Sequence, residues 1–100
     1  MVVNTRSIYY TTYPEDETQI NIEHIINLKN TLKDFTLMPL DDHFAFVYKN
    51  LNIIISCSGH IQFSLISTQE LSHDLNLLAK FAFKVNSIIG IKKYTKKVIT

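Results

Sequence analysis

The pair of residues that most resembles a catalytic arrangement is Cys57 and His60, which Ser58 and Gly59 separate. Cysteine catalysis requires an imidazole within hydrogen-bond reach of the sulfur, usually oriented by a third group. A separation of three residues across a turn does not by itself provide that geometry. We interpret the pair first as a strand-end cysteine and an exposed histidine. A small enzyme or ligand-binding protein centred on Cys57 and His60 is the third of three functional hypotheses.

Other motifs that could support chemistry are weak. A structural zinc site needs four ligands in suitable spacing, and the only pair offered is Cys57 with His60, since His24, His43 and His73 are scattered. Two separated glycines cannot form a phosphate-binding loop. The acidic clusters at 15–17 and 41–42 have no catalytic residue types beside them. We therefore expect no catalytic residue, no metal, no cofactor and no enzymatic activity.

Positive charge is concentrated at the C-terminal end of the chain. Residues 1–91 contain 6 Lys and Arg and 9 Asp and Glu, a formal charge of −3, and the last nine residues raise the total to +1. Lysines neutralise phosphates, and a tyrosine can stack on a base. The second hypothesis is therefore an RNA- or DNA-binding domain, unless the segment is only a solubilising end. The residues concerned are Lys92, Lys93, Tyr94, Lys96 and Lys97.

The strongest local pattern predicts a helix from Leu71 to Ile89. Ser67 and Glu70 are spaced as in a capping box at its start, and Gly90 stands where a helix-terminating glycine belongs. One apolar stripe repeats at helical spacing. Its members are Leu71, Leu75, Leu78, Ala82, Val85 and Ile89.

This predicted helix carries more apolar surface than one sheet requires. Leu77, Phe81 and Ile88 form a second stripe about 100° away, and Phe83 projects away from both. A helix that rests on one sheet needs an apolar arc of about 100°. Either the first helix or another protein chain must cover the remainder. The leading hypothesis is a non-catalytic interaction module that dimerises or docks in a larger assembly, with Leu77, Phe81, Phe83 and Ile88 as partner-binding residues.

The first part of the chain reads as a strand followed by a helix. Aromatic and β-branched residues predict a strand over Val2–Tyr13. Apolar residues at three- and four-residue spacings then predict a helix that starts at Thr18 or Asn21 and ends before Pro39. Its stripe consists of Ile22, Ile25, Ile26, Leu28, Leu32 and Phe35.

The middle of the chain predicts three strands, at 43–49, 53–55 and 61–66, which most simply form an antiparallel meander. Residues 91–100 form either a last strand or a loose basic tail. The order β-α-β-β-β-α, with or without a final β, predicts one compact α+β domain over 1–100. A mainly antiparallel sheet should carry two packed helices. By element order alone, the chain is similar to part of the roadblock and longin domains.

Composition limits the remaining possibilities. The 100 residues are 46% hydrophobic, which argues against disorder at such low net charge. No apolar run approaches about 18 residues, so no membrane span is expected, and no secretory signal pattern precedes the first strand. A single cysteine suits a reducing compartment. We expect an intracellular, cytoplasmic protein.

Overall fold

The computed structural model describes residues 4–100, so the predicted start of the first strand at Val2 lies outside the described part. Within this part the chain forms six strands and two helices. In chain order they are β1 (Arg6–Pro14), α1 (Ile22–Thr31), β2 (Thr36–Pro39), β3 (His43–Tyr48), β4 (Leu51–Ser56), β5 (Ile61–Ser67), α2 (Leu71–Ile88) and β6 (Tyr94–Ile99).

All six strands belong to one antiparallel sheet with the order β2-β3-β4-β5-β1-β6. The neighbours β3, β4 and β5 form the predicted meander. β1 pairs with β5 from Arg6↔Ser67 to Thr12↔Ile61, and β6 pairs with the other side of β1. The structure confirms the α+β fold with a mainly antiparallel sheet. Of the two alternatives for the last ten residues, it selects the strand.

Both helices pack on the same face of the sheet. Side chains alternate along a strand, so residues that are paired across neighbouring strands lie on the same face of the sheet. One such series of paired residues crosses the centre of this face. The series runs Leu37, Phe46, Ile53, Phe63, Tyr10 and Val98. Its central members are fully buried, and they share one hydrophobic cluster with Leu28 of α1 and Leu78 of α2. We refer to this face as the helix side of the sheet.

α1 begins at one of the two predicted positions. The Asn21 side chain accepts a hydrogen bond from the His24 backbone N–H at 3.2 Å, and His24 Nδ1 accepts one from the Asn21 N–H at 3.1 Å. This reciprocal pair satisfies two donors at the helix start. The helix ends at Thr31, because Leu32 leaves the helical conformation at φ −96° and ψ 59°. The predicted helical stripe therefore extended too far.

The short strand β2 was not predicted from the sequence. Phe35, which fits the helical spacing, instead packs against the core from the turn after α1. Pro39 was interpreted as a helix stop, yet it is the last residue of β2. A proline is tolerated there because β2 is an edge strand, where one side needs no ladder donor.

The predicted capping box at the start of α2 is wrong. α2 begins at Leu71 with Glu70 at the N-cap, and no side chain caps it. Ser67 is instead the last residue of β5 and pairs with Arg6. Its hydroxyl accepts a hydrogen bond from the Gln69 N–H at 2.9 Å. Ser67 therefore stabilises the turn between strand and helix, because pairing in the sheet places it before the helix.

The end of α2 follows the prediction. Gly90 lies just past the C-cap residue Ile89 and has φ +80°. The Ile91 N–H donates to the Asn86 carbonyl at 2.8 Å, and the Gly90 N–H donates to the Ser87 carbonyl at 3.2 Å. These are the two hydrogen bonds of a Schellman motif. The motif turns the chain so that Ile91 enters the core and β6 returns along β1.

Candidate interaction surfaces

The structure separates the four predicted partner residues of α2. Leu77 and Phe81 line one groove, and Leu77 is 37% exposed. Ile88 is half-buried and packs against the core. Phe83 is 69% exposed, but it lies about 160° around the helix from Phe81. Two of the four therefore share a surface, whereas Phe83 lies on another.

The groove that contains Leu77 and Phe81, which we name the helix groove, has a volume of about 550 Å³. It lies between α2, the turn after α1 and the turn between β3 and β4. The Phe35 ring forms an aromatic wall, with its centroid 6.2 Å from that of Phe81 and 5.3 Å from that of Tyr48. Three buried leucines also line the groove: Leu32, Leu51 and Leu65.

Polar side chains accompany this apolar lining. They are Thr31, Lys33, Asp34, Asn50, Ser67, Gln69, His73, Asp74 and Lys84. An apolar centre with a polar rim is the usual anatomy of a protein interface, and the volume also falls in the range of small-ligand pockets. Residues after α1 cover part of the apolar arc of α2, since Phe35 contacts Phe81. The groove is the part that they leave open.

A buried carboxylate lies at the edge of the helix groove. Asp74 is 2% exposed, and its Oδ2 is 3.7 Å from Nη2 of Arg6. The Arg6 guanidinium also donates a hydrogen bond to the Gln69 carbonyl. Asp74 lies in the first turn of α2, where the helix dipole favours negative charge. The ion pair therefore joins the start of β1 to the start of α2.

Cys57 and His60 lie in the turn between β4 and β5, and both line a shallow cavity beside residues 16–19. The Cys57 side chain is exposed. The His60 ring packs edge-on against Tyr13 with centroids 5.1 Å apart. The hydrogen bonds of this turn join Ser56 to Ser58 at 3.0 Å and the His60 N–H to the Ser56 hydroxyl at 3.0 Å. These contacts orient the turn, and the partner of the imidazole ring is an aromatic side chain.

Strand β6 distributes the predicted nucleic-acid residues over both faces of the sheet. Side chains alternate along the strand, so Lys96 lies on the helix side with Tyr10, whereas Lys97 lies on the opposite face with Thr11. Lys92 and Lys93 precede the strand. The four lysines therefore do not form one basic face.

The tyrosine of this segment is packed against the core. Tyr94 is half-buried beside the hydrophobic cluster. Burial raises the pKa of the Tyr94 phenol, the neighbouring Tyr10 adds to the rise, and Lys96 opposes it. Lys96 Nζ lies 5.8 Å from the centroid of the Tyr10 ring. The core thus already uses part of the aromatic surface that base stacking would need.

The face of the sheet opposite the helices was not among the predicted surfaces. Its exposed large apolar side chains are Tyr9, Met38, Ile66 and Ile99. Tyr9 lies directly opposite Ile99 in the β1–β6 ladder, and Ile66 lies two residues beyond Ser64, the β5 partner of Tyr9. Three of the four are therefore close together near the β6 edge. Their alternation was visible in the sequence, but only the sheet order places them together.

Two properties of residues 4–100 bear on other functions. No group of three or more His, Cys, Asp or Glu side chains in this range could hold a metal ion. Neither helix in the described part combines the length and the apolar character needed to cross a membrane.

Comparison of the sequence with models of known protein families finds no match, and comparison with curated proteins finds no significant match. Function is therefore inferred from the surfaces described above.

Proposed function

We propose that this chain is a non-catalytic protein-interaction module, a small subunit that binds a partner protein in the helix groove. The observation that supports this proposal is the groove itself, a recess of about 550 Å³ in which exposed and half-buried apolar side chains lie among polar ones. Leu77 and Phe81 are the proposed anchors, because both line the groove: Leu77 is 37% exposed, and the half-buried Phe81 ring lies beside Phe35. A partner would bind by inserting an apolar side chain between α2 and the Phe35 turn.

The two other hypotheses have weaker support. Nucleic-acid binding would require the lysines of residues 92–97 to act together, yet strand alternation directs Lys96 and Lys97 to opposite faces. Catalysis at Cys57 would require an imidazole oriented toward the thiol, whereas His60 packs against Tyr13. The following experiment distinguishes nucleic-acid binding from the proposed protein interaction.

The test compares two charge substitutions on α2. The tagged full chain is purified from its native cells with nuclease treatment, as wild type, Leu77→Glu and Phe83→Glu, and its partners are identified by mass spectrometry. A carboxylate at Leu77 would be desolvated by the partner, so we expect stoichiometric partner protein with wild type and Phe83→Glu and its loss with Leu77→Glu. Phe83→Glu is the matched control, because it introduces the same charge on another face of the same helix.

Several outcomes would contradict the proposal. Retention of the partner by Leu77→Glu, at unchanged thermal stability, would exclude the helix groove as its binding site. Loss of all partners on nuclease treatment would favour nucleic acid. A second copy of the chain as the partner would instead agree with the proposal, and sedimentation equilibrium should then show a dimer that Leu77→Glu shifts to a monomer.

A further inference from the structure

The sheet has two edges, and their backbones differ in the hydrogen-bonding groups that they offer. On β2, the Leu40 N–H donates to the His43 carbonyl at 2.8 Å, and ladder bonds alternate along an antiparallel pair. Leu37 and Pro39 therefore direct their backbone groups away from β3. Proline has no N–H, so within β2 the free edge presents a single donor, at Leu37. This edge is short and is protected in the way that natural edge strands commonly are.

The β6 edge is longer, with six residues against four in β2, and none of the six is a proline. The Glu15 N–H donates to the Lys93 carbonyl at 3.0 Å, so the same alternation directs the backbone groups of Thr95, Lys97 and Ile99 to β1. Tyr94, Lys96 and Val98 then direct their N–H and C=O groups outward. No strand pairs with this edge among residues 4–100. Three outward donors and three outward acceptors are therefore available to an added strand.

The side chains of β6 restrict which strand can be added. Lys96 and Lys97 occupy the middle of the strand on opposite faces, and Val98 and the 53% exposed Ile99 follow them. In a pair with a second copy that keeps the helices on one side, the registers centred on the middle of β6 place Lys96 or Lys97 opposite the same residue of that copy. Like charges directly opposite each other destabilise a strand pair. The lysines therefore oppose self-association at this edge and favour a strand of opposite charge.

We propose that the β6 edge binds an extended acidic segment of another protein, which joins the sheet as a seventh strand. Main-chain hydrogen bonds to Tyr94, Lys96 and Val98 provide the affinity of such strand addition. Because Lys96 and Lys97 are adjacent and face opposite sides, the segment must carry two consecutive acidic residues. An apolar residue opposite Ile99 would extend the apolar cluster at Tyr9, and one opposite Val98 would pack on the helix side of the sheet. The net charge of −3 on residues 1–91 would disfavour binding of such a segment elsewhere.

The probe is a short dye-labelled peptide with two consecutive glutamates flanked by valine and isoleucine, and its binding to the full chain is measured by fluorescence anisotropy. Replacing both glutamates by glutamine should weaken binding about tenfold, because two cross-strand ion pairs are lost. Methylation of the peptide backbone nitrogens that face β6 should abolish binding. Methylation of the alternate backbone nitrogens, which face away from β6, should leave peptide binding unchanged.

Val98→Pro separates strand addition from simple charge attraction. It removes one outward N–H and keeps both lysines, and it preserves the ladder to β1 because that N–H makes no bond there. We expect Val98→Pro to lose peptide binding and to remain folded, as judged by circular dichroism. Lys96→Glu with Lys97→Glu should instead bind a peptide with two lysines in place of the glutamates, which supplies a second test if the proline variant is unstable.

Three results would overturn the proposal. The first is that the acidic peptide does not bind. The second is that methylation of the nitrogens that face β6 and methylation of the alternate nitrogens have the same effect on binding. The third is that a single-stranded DNA oligonucleotide binds and the peptide does not. The lining of the helix groove includes residues of β4 and β5 but none of β6, and β1 separates β6 from β5. Leu77→Glu should therefore leave peptide binding unchanged, so that failure of this proposal and failure of the groove proposal are distinguishable.

Discussion

At the scale of single residues, Tyr10 shows how burial changes the chemistry of a side chain. Its ring lies at the centre of the helix side of β1, edge-on to Phe63 with centroids 6.2 Å apart. Burial raises the pKa of the Tyr10 phenol above its ordinary value of 10.0. The folded protein therefore holds this proton to higher pH than the unfolded chain does.

This difference predicts a loss of stability in alkali that Tyr10→Phe should reduce. A group whose pKa is raised on folding stabilises the fold below its unfolded pKa, and that contribution is lost as pH rises through the folded value. The free energy of unfolding of wild type should therefore fall more steeply above about pH 10 than that of Tyr10→Phe. Urea denaturation across this pH range measures both, and parallel curves would contradict the prediction.

At the scale of elements, two glycines of positive φ have different surroundings. Gly90 ends α2 at φ +80°, and a methyl group added there would meet no atom within 4 Å. Gly59 turns the chain between β4 and β5 at φ +88°, and a methyl group there would lie 3.2 Å from Ile91 Cδ1 and 3.3 Å from Thr18. Position 90 requires glycine only because of its positive φ. Position 59 requires glycine because of its positive φ and because a larger side chain would meet Ile91 and Thr18.

The two alanine substitutions should therefore differ in cost. Gly90→Ala should lower the free energy of unfolding by about 1 kcal/mol, the typical cost of a left-handed conformation for a side-chain residue. Gly59→Ala adds a steric contact to the same backbone cost and should lower it by about 2 kcal/mol or more. Urea denaturation of the two variants provides the comparison. A Gly90→Ala cost equal to or above that of Gly59→Ala would show that the close contact at Gly59 relaxes freely.

At the scale of the whole molecule, residues 91–100 are part of the fold. Ile91 is buried, and β6 pairs with β1 from Tyr9↔Ile99 to Pro14↔Tyr94. Without this segment, β1 would become an edge strand and the core would lose a side chain. The lysines themselves are exposed and contribute charge rather than packing.

Truncation after Gly90 and neutralisation of the lysines should therefore have different effects. The truncated chain should lose about 3 kcal/mol or more of stability, from the buried isoleucine and the unpaired strand. The full chain with glutamine at positions 92, 93, 96 and 97 should unfold within about 1 kcal/mol of wild type, because exposed charges contribute little. Urea denaturation distinguishes them. A truncated chain as stable as wild type would show that the fold does not need β6. Only in that case could truncation test nucleic-acid binding by residues 91–100 without also unfolding the protein.

The sequence by itself determined those elements whose signal is local. Alternation in β3 and β5 and the helical spacing of α2 follow from which face of each element meets the core. Gly90 is specified by the conformation of a single residue. These features need no knowledge of a distant partner, and the structure contains them at or near the predicted bounds.

The tertiary structure alone decided which segments meet. β2 is short and its apolar residues continue the spacing of α1, so only its pairing with β3 distinguishes it from a helix end. Ser67 fits a capping box, but pairing with Arg6 assigns it to β5. The helix groove joins Phe35, Tyr48 and Phe81, and the open edge depends on β6 lying outside β1. Such contacts depend on long-range pairing energies, which no local pattern of residues records.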